Sequence, residues 1–199
     1  MNVVIPVFSG VEELDAVGPF EVFGLARAAG MDVNVRMVSC SGEAVTGFHG
    51  LQIGGLGGLG DDADCVIVPG GAWVGGREEG VRLAVREGVL APWIAACHAR
   101  GAVVASVCTG VFLLHAAGLL DGVPATTHHL ALEDLRALGV NAVADRVVDA
   151  GRVLTTGGIA SGLDLSLWIL EREFGKDAAG LVEKMLEYQR QGSVLKSAV

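Results

Sequence analysis

The sequence predicts an α/β protein: a mostly parallel sheet covered by helices on both faces. Three observations carry that prediction. Short apolar, β-branched runs at 2–8, 64–68 and 102–107 alternate with stretches of helical periodicity. The runs are near-continuously apolar, the pattern of strands buried on both sides. The connections are short and glycine-rich, as in chains that wind strand, helix, strand. The composition agrees: 51% hydrophobic residues, 30 glycines and only 5% aromatics suit a sandwich of small aliphatic side chains. At 199 residues a single domain spanning 1–199 is expected, large enough to bury a substantial core.

The elements follow in order. Residues 2–8 form a buried strand, broken at Ser9-Gly10. A helical pattern with Phe20, Val22, Phe23 and Leu25 runs to about Ala29, and Pro19 suits its first turn. Gly30 stops it. Residues 32–41 alternate loosely as a second strand, and the glycine-rich 42–60 holds a hairpin around Val45 and 51–53. Residues 64–68 make a buried strand that closes on Pro69-Gly70-Gly71. After a loop at 75–80, residues 81–100 are helical, with Pro92 imposing a kink or two shorter helices. Residues 102–120 read as strand, tight turn and helix. A short strand at 125–127 leads into His128-His129, and a helix at 130–138 stops at Gly139. Residues 146–149 and 152–156 pair across Ala150-Gly151. A glycine-rich turn at 156–162 enters the helix 163–174, and a last amphipathic helix covers 177–190. The tail from Gly192 is expected to fray.

A net charge of −9 disfavours a phosphate-binding surface and an anionic membrane. No run approaches the roughly 18 apolar residues of a membrane span, and the start Met1-Asn2-Val3-Val4-Ile5-Pro6 lacks the pattern of a signal peptide. A cytoplasmic protein that binds neither nucleic acid nor membrane is expected.

None of the four cysteines lies in a C-x-x-C pair, and no metal-ligand spacing is present, so no metal is expected. Cys40, Cys65 and Cys97 read as packing residues. Cys108 differs, because it sits where the strand 102–107 turns into a helix. That geometry is a nucleophile elbow, and free N–H groups at a helix start would tilt the thiol toward thiolate. A buried packing cysteine is the alternative. Ligands of such sheets bind beyond the carboxyl ends of the strands, where three loops converge on Cys108-Thr109. Asp15 is either a buried acid of raised pKa or a helix N-cap. Gly70 and Gly71 are either backbone donors to a developing negative charge or an ordinary turn. His128 either pairs with Cys108 or starts the next helix. His49, His98 and His115 read as structural or surface residues.

These residues together resemble the ThiJ/PfpI superfamily of flavodoxin-like three-layer sandwiches related to class I glutamine amidotransferases. The markers are Leu14-Asp15 with Gly18-Pro19-Phe20-Glu21-Val22, Val66-Ile67-Val68-Pro69-Gly70-Gly71, and Ser106-Val107-Cys108-Thr109-Gly110. Ala117-Gly118-Leu119-Leu120-Asp121-Gly122, Ala125-Thr126-Thr127-His128 and Thr156 through Asp164 complete them. The Cys-Thr-Gly elbow with an aspartate after the first strand resembles the isocyanide hydratase branch; the block also occurs in the ligand-binding domains of AraC-type regulators. The resemblance implies a cysteine-dependent hydratase of small molecules in which Cys108 attacks an isocyanide to give a thioimidate. Asp15 would move the proton, with Thr109, Gly70, Gly71 and Ile159 positioning the substrate or its developing charge. It also implies no metal or organic cofactor and a homodimer with the elbow near the subunit interface. A chain that stops near residue 199 leaves no room for a regulator's helix-turn-helix, so a free-standing enzyme is expected. Three alternatives stand beside it: 2-oxoaldehyde conversion, amidase-like hydrolysis, and a non-enzymatic ligand or oxidative-stress sensor.

Overall fold

Eleven strands and seven α-helices make up the described residues, 1–76 and 78–197, of the computed structural model. Position 77, within the expected loop at 75–80, and positions 198–199 of the expected tail lie outside the described residues. In chain order the elements are β1 (Asn2–Pro6), α1 (Glu13–Ala28), β2 (Asn34–Val38), β3 (Val45–Thr46), β4 (Gln52–Ile53) and β5 (Cys65–Val68). Next come α2 (Val81–Glu87), α3 (Leu90–Ala99), β6 (Val103–Ser106), α4 (Val111–Ala116), β7 (Pro124–Ala125) and α5 (Leu132–Ala137). The chain finishes with β8 (Asn141–Ala142), β9 (Val147–Ala150), β10 (Val153–Thr156), α6 (Ser161–Phe174), α7 (Lys176–Leu186) and β11 (Val194–Lys196).

The main sheet has seven strands in the order β11-β9-β10-β6-β5-β1-β2. The five from β10 to β2 are parallel, and only β9 runs antiparallel to its neighbour β10. All four residues of β5 and of β10 are buried, which is why both read as unbroken apolar or small-residue runs. Helices α1, α6 and α7 pack together, and so do α2, α3 and α4, covering the sheet in two groups. This is the expected mixed α/β architecture. Its core is built from Ile5, Phe23, Ile67, Phe112, Leu154 and their neighbours.

Four expectations are corrected. Helix α1 starts at Glu13, so Pro19 lies well inside it rather than in its first turn. Pro19 lacks the N–H that would reach the Asp15 carbonyl, but its ring packs on α6. A Cβ on Gly162 would sit 3.4 Å from that ring, and one on Gly18 would sit 3.4 Å from Leu163. This close approach of two helices offsets the missing bond. The tail does not fray at Gly192: Val194, Leu195 and Lys196 pair in parallel with Val147, Val148 and Asp149. Residues 130–138 are not one helix, because a single 3-10 turn at His129–Ala131 precedes α5. Cys40 is exposed rather than packed, since β2 ends two residues earlier at Val38. The 81–100 segment resolves into two helices, broken at Gly88 with φ 69°. Pro92 sits in the first turn of the second, where its lost N–H costs no helix bond.

Two polar clamps tie the carboxyl-terminal third together. Asp164, 2% exposed, accepts from Arg146 Nε at 2.8 Å, from the Tyr188 hydroxyl at 3.0 Å and from the Gln191 N–H at 2.7 Å. Asp149 accepts from Trp168 Nε1 at 2.9 Å and from Arg172 at 3.2 Å. A buried carboxylate is tolerable only when its charge and lone pairs are met in this way. Among the described residues no helix is long and apolar enough to cross a membrane.

Candidate active site

Strand β6 ends at Ser106, Val107 remains extended, and the chain then turns at Cys108 with φ 55°. A left-handed conformation costs a non-glycine residue about 1–2 kcal/mol. Here three contacts hold it: the Cys108 N–H donates to the Gly157 carbonyl at 2.9 Å, the Cys108 carbonyl accepts from Thr127 Oγ1 at 2.9 Å, and the Gly110 N–H donates to Val107. The next residues form one 3-10 turn, Cys108–Gly110, and then the short α4. The turn fits only because residue 110 is glycine. A Cβ there would lie 2.2 Å from the Val68 carbonyl oxygen and 2.8 Å from that of Pro69. Both obstacles are backbone of a buried strand end and cannot swing aside. Gly110→Ala is therefore expected to lower stability by about 3 kcal/mol, read from urea unfolding. An unchanged midpoint would show that the elbow tolerates a side chain there.

Asp15 sits on the third residue of α1 and is fully buried. It is not the N-cap; Glu12 holds that position, without a side-chain capping bond. Asp15 Oδ2 accepts the Gly70 N–H at 2.9 Å, and among the described residues Oδ1 has no hydrogen-bond partner. The carboxyl and the Cys108 thiol face each other closely enough for each to shift the other's proton. Burial raises the Asp15 pKa well above 3.8, the Gly70 bond opposes that, and the charge of Glu12 adds to it. Burial and then the Asp15 charge push the thiol up to about 12. Against them, the N–H groups of Ile159 and Thr109 and the Thr109 side chain favour the thiolate. The expectation that N–H groups at the helix start tilt the thiol toward thiolate is thus corrected: the N–H groups act in that direction, but burial and Asp15 outweigh them. With Asp15 protonated the repulsion vanishes, and the N–H groups then act on sulfur unopposed by charge.

The expected backbone donors have protein partners. Gly70 N–H is on Asp15, and Gly71 N–H donates to Thr109 Oγ1 at 3.1 Å. Their lack of side chains is what lets three segments meet: a Cβ on Gly70 would lie 2.6 Å from Thr109 Oγ1 and 2.9 Å from Asp15 Oδ2. In this arrangement the glycines orient the acid and the threonine, and the N–H groups aimed at the Cys108 sulfur are those of Ile159 and Thr109.

A cavity of about 150 Å³ opens on Cys108 and Thr109. Its apolar wall is Phe48, Ala72, Trp73, Val74, Leu130 and Ile159. His128 also lines it, with its ring against Gly158, where a Cβ would lie 2.3 Å away. His128 Nδ1 accepts the Leu130 N–H at 3.3 Å, so the residue does start the next turn as well. Burial and the neighbouring His129 lower its pKa. Glu12 completes the lining; burial raises its pKa and His49, with Nε2 3.7 Å away, lowers it. Among the described residues one trio, Glu12, Glu13 and His49, brings ligand-type atoms within 4.8 Å of one another. Glu13 Oε1 in that trio is already engaged by the His49 N–H.

Fold and site together define an α/β protein with a cysteine elbow, a buried acid beside the thiol and a small apolar pocket over both. Residues 1–172 match the model of the DJ-1/PfpI family, and the chain belongs to that family. It is 38% identical over 184 residues to the isonitrile hydratase of Pseudomonas putida, covering 92% of this chain and 76% of that one. It is also 33% identical over 159 residues to the transcriptional regulator GbdR of Pseudomonas aeruginosa, covering 77% of this chain but 41% of the regulator. Among solved structures, a ThiJ/PfpI family protein from Pseudomonas syringae superposes with a TM-score of 0.84 at 28% identity, covering 96% of this chain and 76% of that one. Drosophila melanogaster DJ-1beta shares the fold, with a TM-score of 0.79 at 22% identity, over 94% of this chain and 98% of that one.

Proposed function

We propose that this protein is a cysteine-dependent hydratase that converts isocyanides, R–N≡C, into N-substituted formamides. The observation that carries the reading is the Asp15 carboxyl facing the Cys108 thiol, with both groups buried and one carboxylate oxygen unpartnered. Similarity to an isonitrile hydratase supports the choice of substrate.

An isocyanide carbon accepts a nucleophile and a proton at the same atom. As Sγ bonds to that carbon, Asp15 delivers its proton there and takes up the thiol proton. The product is a thioimidate, R–N=CH–S–Cys108. Water then adds to the same carbon, with Asp15 taking its proton and passing one to nitrogen. The carbon–sulfur bond breaks, the hydroxyl proton returns through Asp15 to sulfur, and R–NH–CHO leaves. The sum is one isocyanide plus one water. No free thiolate is needed at the outset, so a thiol pushed up to about 12 suits the sequence. The N–H groups of Ile159 and Thr109 stabilise negative charge on sulfur as it develops and as it departs.

The test is formamide production from simple alkyl and aryl isocyanides by the purified protein, followed by infrared loss of the isocyanide band. Turnover is expected for compact substituents. No formamide across the panel would remove the hydratase reading. The regulator relative favours a second reading, ligand binding at this pocket without turnover.

A further inference from the structure

We infer that Trp73 is the size gauge of this site: it fixes the far wall of the pocket over Cys108 and limits the substrate to a compact apolar substituent. Three contacts pin its side chain. Its ring stacks on Phe112 with centroids 3.6 Å apart and planes 4° from parallel. Its Nε1 donates to Asp134 Oδ2 at 2.8 Å, and the Arg82 guanidinium lies 4.2 Å from the ring centroid. Those partners come from α4, α5 and α2, so the indole is tied to three helices although it stands on a loop. Phe112 follows Cys108 by four residues, and the wall is thereby referenced to the elbow itself.

The residue just before it, Ala72, has φ 50° and also lines the pocket. A non-glycine residue in that conformation persists where its surroundings over-determine it, and the pinned indole is such a surrounding. The cavity of about 150 Å³ matches the space that holds a benzene-sized molecule. Groups larger than a single ring that extend toward the indole collide with a wall that cannot yield without losing a stack, a hydrogen bond and a cation–π contact together.

This inference rests on Cys108 being the reacting group, and its test is built to separate the two. Cys108 alkylation is followed by peptide mass spectrometry, so that exposed Cys40 is not counted. The probes are 2-iodoacetamide and its N-benzyl and N-naphthyl derivatives, with rates normalised to glutathione. In the native protein the normalised rate is expected to fall roughly tenfold or more from iodoacetamide to the naphthyl probe, the effect of forcing a ring into filled space. Trp73→Ala is expected to abolish that fall, each variant's naphthyl rate being read against its own iodoacetamide rate. Trp73→Phe, which keeps a ring on Phe112 but shortens the wall, is expected to lie between and serves if the alanine variant does not fold. An unchanged size dependence in a folded variant overturns the gauge alone. Failure of every probe, iodoacetamide included, to reach Cys108 overturns the gauge, while formamide production decides separately the function it rests on.

Discussion

On the proposed mechanism, replacing Cys108 with alanine is expected to abolish isocyanide hydration, lowering kcat/KM by about 10⁴-fold or more, the scale on which a covalent nucleophile acts. The fold should survive. The elbow is held by backbone groups of residue 108, its N–H on Gly157 and its carbonyl on Thr127, and none of these is touched. Removing the sulfur takes one atom from a buried position, so the melting temperature should move by only a few degrees. Ligand affinity separates the two functional readings. A hydratase without its thiol still binds an isocyanide but releases no formamide. A ligand sensor instead shows no formamide from the native protein either. If Cys108→Ala retains native turnover, the thiol is not the nucleophile.

Asp15→Asn is expected to cut turnover by roughly 10²–10⁴-fold, the range of a lost general acid and base, and at the same time to stabilise the protein at neutral pH. The sign follows from the raised pKa. The folded chain holds the Asp15 proton more tightly than the unfolded chain does. The group's contribution is therefore complete below its ordinary value of 3.8 and is lost as pH rises toward the raised folded value. At pH 7 to 8 a native aspartate must stay protonated or bear a buried charge, and both are costly. Asparagine does neither, and its amide oxygen can still accept the Gly70 N–H. Melts at pH 5 and pH 8 should show the variant gaining several degrees over native protein, more at the higher pH. A variant less stable than native at pH 8 would contradict the assignment of Asp15 as an uncharged buried acid.

The parallel strands and the elbow were legible because burial on both faces writes an apolar run, and because a thiol between such a run and a helix is conspicuous. The acid was legible as a residue but not in its setting. Pro19 suggested a helix start, whereas the close packing of Gly18 and Pro19 on α6 lets α1 begin at Glu13. That earlier start is what turns Asp15 inward. The loop 42–60 and the loop beginning at Trp73 read as pocket-shaping segments, but which side chains form the wall, Trp73, Phe48 and Leu130, was not legible, since it depends on loops brought together from distant parts of the chain. Glu12 was equally hidden; a charged residue beside Glu13 carries no local sign that it lines a cavity. The strand β11 was missed because two of its three residues, Leu195 and Lys196, are exposed and only its register on β9 reveals it.

The clamp on Asp164 has a consequence beyond holding the tail. Gln191 N–H bonds Asp164, Asp164 bonds Arg146, the Arg146 carbonyl accepts the Gly157 N–H, and the Gly157 carbonyl accepts the N–H of Cys108. The amide of the elbow and the amide of residue 191 are thus end members of one relay that crosses the carboxyl-terminal third of the chain. Hydrogen exchange at Cys108 becomes a gauge of how well that distant segment is docked. A cut or a graft near residue 191 acts on the Cys108 turn through the same amides.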